Sequence, residues 1–491
     1  MFESAELGHC ISDREYDRAE AALREALLKA QYELLADKNI PVILVIGGVD
    51  GAGKGETANI LNKWMDPRHI ITRAFGEMTD EERERPRMWR YWRALPPKGR
   101  IGILFGAWHS EPIVARVNGE IDDARLELAM EEIVHFERML ADEGALILKF
   151  WFHLSKKAQK KRLSALEADP KTRWRVTDTD WARYKRYDRF RKVSETALRE
   201  TSSAYAPWIV VEGTDPNYRY LTVGRALLDA LNKRLAGKRP RVSTPAALPA
   251  AALDRRNVLS GLDYGQRMTH KEYSRKLEKY QGELNLLTRH KKFREKSVVI
   301  VFEGADAAGK GGSIRRITGA LDARFYEVTP IAAPNEEERA HPYLWRFWRS
   351  LPRRGRIGIF DRSWYGRVLV ERVENLCAEE DWMRAYHEIN DFEEQMVEAG
   401  AILTKFWLTI TKDEQLRRFR ARQKTPFKNF KITAGDWRNR KRWPDYQSAV
   451  CDMVERTSNR EAPWVLVPAN DKYSARIHIL KTLCERIEAA L

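Results

Sequence analysis

Short apolar runs alternate with longer amphipathic segments through the second half of the chain. The runs are rich in Val, Ile and Phe and are bounded by polar residues, which is typical of strands buried on both faces of a sheet. They predict strands over residues 298–302, 357–360, 402–407 and 464–467. Apolar residues at helical spacing predict helices over residues 271–290 and 381–399. Because strands and helices alternate, we expect a parallel sheet covered on both sides.

The first half of the chain repeats the second half. Gly48 and Gly304 occupy equivalent places in two similar segments and lie 256 positions apart. The same offset relates four further pairs of segments: residues 89–93 and 345–349, 99–103 and 355–359, 149–151 and 405–407, and 206–208 and 462–464. A constant offset leaves no net insertion or deletion between the copies. The chain is therefore a tandem duplication.

The duplication predicts an α/β protein of two tandem three-layer α/β/α domains, each built around a parallel sheet. We place the first domain at residues 1–237 and the second at residues 259–491. Residues 238–252 are rich in Pro and Ala and have neither a helical nor a strand period, so a linker is predicted over residues 238–258. A charged helix is expected before each core, over residues 16–35 and 271–290.

Composition narrows the possible partners and the compartment. The chain has 491 residues and a formal net charge of +16, and a field of that sign attracts polyanions such as nucleic acid, anionic membranes or long phosphate chains. The four cysteines lack the spacing of a zinc or redox motif, which favours a reducing compartment. The longest apolar run near the N-terminus, residues 41–46, is too short to span a bilayer. We therefore expect a cytoplasmic protein without a membrane partner.

A glycine-rich loop directly follows the predicted strand at residues 298–302. Its sequence, GADAAGKGGS at residues 304–313, has the GxxxxGK pattern of a Walker A phosphate-binding loop between a strand and a helix. Backbone N–H groups and the helix N-terminus cradle phosphate oxygens in such loops, and Lys310 adds a positive charge as a catalytic residue. Phosphate contacts are predicted for Gly304, Ala307, Ala308, Gly309, Gly311, Gly312 and Ser313.

The loop lacks the hydroxyl residue that normally follows the lysine and holds Mg²⁺. Two glycines follow Lys310, and Ser313 comes too late to take that position. Because Mg²⁺ prefers carboxylate oxygens, we predict that Asp306 in the loop and Asp361 after the strand at residues 357–360 are its ligands and take part in catalysis. The alternatives are a turn-forming role for Asp306 and a helix N-cap role for Asp361.

Arginines are dense after Asp361. Arg362 and Arg367 follow it closely, and a basic stretch occupies residues 416–424. Guanidinium groups suit phosphate oxygens and neutralise the charge that develops during phosphoryl transfer, so catalytic roles are predicted for Arg362 and Arg367. The basic stretch is predicted to be a lid or channel that contacts an extended polyanion, although a solvated helix face is the alternative. Its phosphate-binding candidates are Arg417, Arg418, Arg420, Arg422 and Lys424.

Four long motifs occur in order in the second copy: GADAAGKGG, WRFWRSLPRRGRIGIFDRSWYGRVLVERV, KFWLTITKDEQLRRFRAR and APWVLVPANDKYSAR. Together they resemble the polyphosphate kinase 2 family over most of residues 290–491. The resemblance implies a P-loop kinase fold related to thymidylate kinases and Mg²⁺-dependent transfer between inorganic polyphosphate and nucleotides. For two fused copies it implies transfer to AMP, giving ADP. By position, Asp306 and Lys310 match the family's loop, Asp361 and Arg362 its second acidic motif, and residues 416–424 its lid.

The first copy keeps the loop but loses the residues predicted to surround it. In the first copy, Phe105 stands in place of Asp361, Gly106 in place of Arg362 and Glu111 in place of Arg367. Phenylalanine cannot ligate a metal ion, and a glutamate repels phosphate. Since each oxyanion-stabilising group is typically worth ~10²–10³-fold in rate, the first copy is predicted to be inactive. We expect it to serve as an intrachain pseudo-dimer partner; whether it binds phosphate and whether chains associate further stay open.

The sequence favours in-line phosphoryl transfer from polyphosphate to AMP without a covalent enzyme intermediate. Two other activities fit the loop: polyphosphate-driven phosphorylation of ADP or GDP, and ATP-dependent nucleoside monophosphate kinase activity. A non-enzymatic alternative is binding of polyphosphate or nucleic acid, with the tryptophans of residues 345–349 stacking on bases. Those tryptophans recur at i and i+3 in both copies, which indicates a packed helix face, and no nucleic-acid partner is expected.

Overall fold

A computed structural model describes residues 1–237 and 258–491. The described residues divide into two compact units. One contains Met1–Met78, residues 90–237 and Pro334–Trp345; the other contains Thr79–Trp89, residues 258–333 and Arg346–Leu491. The predicted linker, residues 238–258, lies outside the described residues except for its last position. The boundaries drawn from the sequence for the two domains stay a prediction.

Each unit contains one five-stranded sheet, surrounded by helices. The strands are β1 (Val42–Gly48), β2 (Ile70–Ala74), β3 (Ile101–Phe105), β4 (Leu146–His153), β5 (Trp208–Glu212), β6 (Ser297–Gly304), β7 (Tyr326–Pro330), β8 (Ile357–Asp361), β9 (Ala401–Thr409) and β10 (Trp464–Pro468). Their order is β2-β3-β1-β4-β5 in one sheet and β7-β8-β6-β9-β10 in the other, and all neighbouring strands are parallel. The predicted α/β fold with parallel sheets is confirmed.

Helices before and between the strands cover the sheets. In the first copy they are α1 (Asp13–Asp37), α2 (Lys54–Trp64), α3 (Asp80–Arg83), α4 (Trp89–Ala94), α5 (Ser110–Asn118), α6 (Asp123–Asp142), α7 (Lys156–Ala168), α8 (Asp178–Lys185), α9 (Tyr187–Thr201) and α10 (Pro216–Ala236). In the second they are α11 (His270–Arg289), α12 (Lys310–Thr318), α13 (Glu336–Arg339), α14 (Trp345–Trp348), α15 (Val370–Val373), α16 (Glu379–Glu398), α17 (Lys412–Gln423), α18 (Ala434–Lys441), α19 (Trp443–Thr457) and α20 (Lys472–Ala490). None of these described helices combines the length and apolarity that a bilayer span requires.

The sequence predicted four strands of the second sheet, including the edge strand β10, and missed the other edge strand, β7. The four apolar runs of the second copy correspond to β6, β8, β9 and β10, each one to three residues longer than predicted. The edge strands β2 and β7 went unpredicted because most of their side chains are exposed or half-buried, so they carry no apolar run. Hydrogen bonds to the neighbouring strand define β7 instead. Trp345 and Trp348 are buried, as their spacing indicated, and present no open face for stacking on bases.

The register of the second sheet brings the loop and the acidic motif together. Gly304 ends β6 and Asp361 ends β8, and Phe302 lies directly opposite Asp361 in the parallel ladder. The carboxyl ends of neighbouring parallel strands open at the same edge of a sheet, which is where ligands bind in α/β folds. The strand order therefore places Asp361 beside the phosphate-binding loop.

A buried ion pair supports the sheet in both copies. Lys405 on β9 lies 2.6 Å from Glu393 on α16, and its ammonium group also donates to the Thr457 carbonyl. In the first copy, Lys149 lies 2.6 Å from Glu137 in the same arrangement. All four side chains are fully buried, where a charge is tolerated only with complete pairing. Because both copies keep this pair, it belongs to the scaffold rather than to a site found in one copy.

Candidate active site

The loop of the second copy forms an open cradle between β6 and α12. Gly304 has a φ of 146°, and a Cβ atom there would lie 2.3 Å from the Leu408 carbonyl oxygen, so only glycine fits. At Gly309, directly before α12, an added Cβ would meet nothing within 4 Å. The N-terminus of α12 thus faces open space. Backbone N–H groups and the helix dipole make such a position an anion site.

Lys310 and two carboxylates meet at this cradle. The Lys310 ammonium donates to the Gly304 carbonyl at 2.6 Å. Burial lowers the pKa of Lys310, and the negative charges of Asp306 and Asp361 oppose that shift. The loop lysine and both predicted metal ligands therefore lie within electrostatic reach of one another.

Asp306 is held by contacts to side chains rather than by its own turn. Asn439 on α18 donates to its Oδ2 atom at 2.9 Å, and the Arg362 guanidinium lies 3.5 Å from its Oδ1 atom. The side chain of Gln415 donates to the Asp306 carbonyl oxygen at 3.1 Å. These contacts fix the carboxylate at the mouth of the loop, and they do not support the alternative of a simple turn former.

Asp361 offers an uncommitted carboxylate. Within the described ranges 1–237 and 258–491, its half-buried side chain has no hydrogen-bond or ion-pair partner. It is the last residue of β8, and the short helix that follows is capped by Ser363, so the N-cap alternative does not apply. Free carboxylate oxygens beside a phosphate cradle are the donors that a hard divalent cation prefers. The chemistry of Asp306 and Asp361 therefore fits a metal ion.

The two arginines after Asp361 are placed differently. Arg362 has a left-handed backbone, with a φ of 68°, and its side chain is 54% exposed beside Asp306. Arg367 is largely buried, with its Nε atom 2.9 Å from the Glu371 carboxylate one helical turn away. Arg362 thus reaches the cradle, while the structure commits Arg367 to an ion pair. A non-glycine residue with positive φ is strained, and such strain is concentrated at functional sites.

The predicted lid begins as α17, and Arg418 on it has a different role from its neighbours. Arg418 is 4% exposed. All five of its N–H donors have protein acceptors: the Glu414 carboxylate and the carbonyls of Ala307, Ala308, Ala469 and Asn470. A guanidinium has only five donors, so none is left for phosphate. The prediction that Arg418 binds phosphate is therefore corrected: it ties the loop to α17 and to the end of β10.

The remaining lid cations point outwards. Arg417 is exposed and pairs with Glu414 through two hydrogen bonds of 2.7 Å. Arg420, Arg422 and Lys424 have no ion-pair or side-chain hydrogen-bond partner in the described part of the chain. Four of the five lid residues thus remain available to an anionic ligand, three of them unpaired.

Arg418 and Arg417 form a matched pair for a test. Arg418→Ala leaves several buried carbonyls without a donor. Each of these groups that water cannot reach lowers the free energy of unfolding by about 1–3 kcal/mol. We expect a clear fall in the urea midpoint of the unliganded protein, with a loss of activity. Arg417→Ala should leave the midpoint unchanged. If Arg418→Ala has the same urea midpoint as wild type but binds polyphosphate more weakly, Arg418 would be a phosphate-binding residue after all.

In the first copy, the side chain of Arg219 packs against the phosphate-binding loop. Lys54 donates to the Gly48 carbonyl at 2.7 Å, as Lys310 does to Gly304. A Cβ atom added at Gly53, however, would lie 2.2 Å from the Arg219 guanidinium carbon, whereas the equivalent Gly309 is open. Arg219 therefore covers the first loop at a position where the second loop is open.

Arg219 is fixed by a network that the second copy does not contain. The side chain is 2% exposed and donates to the Glu56 carboxylate at 2.8 Å, to Thr57 at 3.1 Å and to the Gly213 carbonyl at 2.7 Å. Glu56 lies in the first turn of α2, where the second copy has a glycine, Gly312. A carboxylate in the first turn of a helix is stabilised by the helix dipole, and here it also pairs with Arg219.

Sequence reasoning missed three polar residues at the second cradle: Glu303, Ser363 and Asn439. Glu303 and Ser363 are buried and hydrogen-bonded to each other, and Asn439 contacts Asp306. The comparison of the two copies contained a signal for Glu303 and Ser363. Their counterparts in the first copy are Gly47 and Ala107, so they change together with Asp361.

Comparison with known proteins agrees with this geometry. A family model described as polyphosphate kinase 2 matches residues 10–239 and 267–491. The chain belongs to the polyphosphate kinase 2 family. Both copies are thus family domains, and the resemblance read from the second copy is confirmed and extended to the first.

Several family members match the whole chain. A polyphosphate:AMP phosphotransferase from Pseudomonas aeruginosa is 56% identical over 491 residues, covering 100% of this chain and 99% of that protein. A polyphosphate:AMP phosphotransferase from Acinetobacter johnsonii is 36% identical over 473 residues, covering 94% and 95%. A crystal structure of a polyphosphate kinase 2 from P. aeruginosa PA01 superimposes with a TM-score of 0.90 at 54% identity, covering 100% and 99% of the two chains. The tandem arrangement is therefore shared with these family members.

Proposed function

We propose that this polyphosphate kinase 2 family member transfers a phosphoryl group from inorganic polyphosphate to AMP, giving ADP, and that only its second copy turns over. The observation that carries the proposal is the open cradle at Gly309 with Lys310, Asp306 and Asp361 around it. The names of the relatives that match the whole chain support AMP as the acceptor.

The residues present suit an in-line transfer. An oxygen of the AMP phosphate attacks the terminal phosphoryl group, and it is already anionic, so no strong general base is needed. The cradle and Lys310 fix the donor chain in place, while Arg362 and the unpaired lid cations neutralise the charge that spreads over the transferring oxygens. Arg420 and Lys424 are exposed and Arg422 is half-buried, and these positions suit a long phosphate chain.

We further propose that the metal ion is Mg²⁺ and that Asp306 and Asp361 hold it. When bound, it would neutralise negative charge on the phosphates. The protein's part is to keep two carboxylates beside Lys310, with Asp306 fixed by Asn439 and Asp361 left without a competing protein partner.

The first copy, by contrast, lacks both the space and the groups for turnover. Arg219 packs against its loop at Gly53 and pairs with Glu56, and Phe105 stands where the second copy has Asp361. We propose that it binds no phosphate at this loop and acts as an intrachain partner of the second copy. The pseudo-dimer and any further association of chains stay predictions for analytical ultracentrifugation. The described cysteines form no disulfide, which is compatible with the expected cytoplasmic location.

A product panel separates this proposal from the alternatives. AMP, ADP and GMP are each offered with polyphosphate or with ATP, and the products are resolved by anion-exchange chromatography. We expect ADP to form from AMP and polyphosphate, at a rate that exceeds phosphorylation of ADP under the same conditions. ADP formation from AMP with ATP but not with polyphosphate would identify an ATP-dependent monophosphate kinase. Binding of polyphosphate without any product would support the non-enzymatic alternative.

A further inference from the structure

A buried carboxylate lies directly before the phosphate-binding loop. Glu303 is the last residue of β6 before Gly304, and its side chain is 5% exposed. Its Oε1 atom accepts a hydrogen bond of 2.9 Å from the Ser363 hydroxyl. Burial raises the pKa of Glu303, and the positive charge of Lys310 opposes the shift. Because an acid buried in a sheet is costly, its presence beside the cradle calls for a role.

The partner of Glu303 lies in the segment that carries the catalytic candidates. Ser363 follows Asp361 and Arg362 directly and is 1% exposed. Its hydroxyl donates to Glu303 and also accepts from the Tyr365 N–H at 3.3 Å. At the preceding residue, the strained Arg362 N–H donates to the Phe302 carbonyl at 3.0 Å. Two bonds to the end of β6 thus hold this segment where Asp361 meets the loop.

The first copy shows that this pair is not part of the common scaffold. Its counterparts are Gly47 and Ala107, and a Cβ atom at Gly47 would lie 3.1 Å from the Trp151 ring, so a side chain there would require that ring to shift. The scaffold pair of Lys149 and Glu137, by contrast, is kept at the same 2.6 Å in both copies. Glu303 and Ser363 are absent from the copy that lacks Asp361 and Arg362, and they are not required for the fold that the two copies share.

We propose that Glu303 is a positioning residue for phosphoryl transfer, which acts through Ser363 to hold Asp361 and Arg362 against the phosphate-binding loop. The proposal rests on the function proposed above for the second copy. It assigns Glu303 no contact with substrate; its effect is transmitted by one hydrogen bond to the segment that carries the metal-binding carboxylate.

The test combines Ser363→Ala, Glu303→Gln and the double variant with a control, Ser274→Ala, whose hydroxyl bonds, among the described residues, only to its own helix α11. Displacing a reacting group by about 1 Å costs roughly 10²-fold in rate, so Ser363→Ala should lower kcat by about that factor. It should also raise the Mg²⁺ concentration for half-maximal rate and leave the KM for AMP unchanged. Glu303→Gln keeps an acceptor oxygen and should lose less, and the double variant should lose no more than Ser363→Ala alone.

Binding of Mn²⁺, measured by electron paramagnetic resonance without nucleotide, gives a readout that does not require turnover. We expect weaker Mn²⁺ binding in Ser363→Ala and in the double variant than in wild type and Ser274→Ala, at unchanged melting temperature. Unchanged Mn²⁺ binding, multiplicative losses in the double variant, or losses that only follow a lower melting temperature would overturn the positioning role. A wild-type protein that makes no ADP but shows the Mn²⁺ differences would instead refute the proposed function alone.

Discussion

Asp361→Asn is expected to lower kcat for ADP formation by about 10³-fold or more. The substitution keeps the shape of the side chain and removes the negative charge of the carboxylate that we propose as a metal ligand. Because the Asp361 carboxylate has no protein partner among the described residues, the fold should not change. Polyphosphate binding should stay within about threefold, since the loop amides and Lys310 are intact. Steady-state kinetics, a binding titration and a thermal melt measure the three quantities.

The control is Asp445→Asn, which removes an exposed ion-pair partner of Arg442 and should leave kcat unchanged. Retention of more than a tenth of the wild-type rate by Asp361→Asn would exclude this carboxylate from the reaction. Loss of polyphosphate binding together with activity would assign it to donor binding instead.

Lys310→Ala should lower kcat/KM for polyphosphate by about 10²–10³-fold, whereas Lys54→Ala should stay within about twofold of wild type. The two substitutions are closely matched. Each removes an ammonium group that donates to the first glycine carbonyl of its loop, at 2.6 Å in one copy and 2.7 Å in the other. Lys54 donates in addition to the Val49 carbonyl at 3.0 Å, so stability is measured for both variants, and the difference in activity reports which loop serves the reaction. Steady-state rates at several polyphosphate concentrations, with melting temperatures, provide the measurement.

Equal losses in the two variants would mean that both loops take part in turnover. A loss in Lys54→Ala alone would reverse the assignment of the copies. We expect neither, because the first copy lacks the counterpart of Asp361 and Arg219 packs against its loop at Gly53, while Gly309 faces open space.

The sequence predicted the features that are local in the chain. Apolar runs located β6, β8, β9 and β10 because these strands carry buried apolar side chains, and the repeat offset identified both loops. The edge strand β7 depends on main-chain hydrogen bonds to β8, which leave no apolar pattern. Asp306, Lys310 and Asp361 were found from motif spacing, and the sheet register explains why they meet.

Contacts between distant residues lay beyond sequence reasoning. Arg417 and Arg418 are neighbours in the same basic stretch, so the sequence does not distinguish them. The fold shows that Arg418 bonds to loop carbonyls, whereas Arg417 faces solvent. Glu303 and Ser363 are 60 positions apart, and Arg219 and Glu56 are 163 apart. The contact of Arg219 with the first loop depends on the packing of α10 against α2, which the sequence does not show.

The central claim is that one chain contains one working phosphate site, in its second copy. The most direct measurement is a calorimetric titration with tripolyphosphate in the presence of Mg²⁺, on wild type, Lys310→Ala and Lys54→Ala. We predict one specific site per chain in wild type and Lys54→Ala, and none in Lys310→Ala. Two equivalent sites in wild type, or a specific site that survives in Lys310→Ala, would contradict the account.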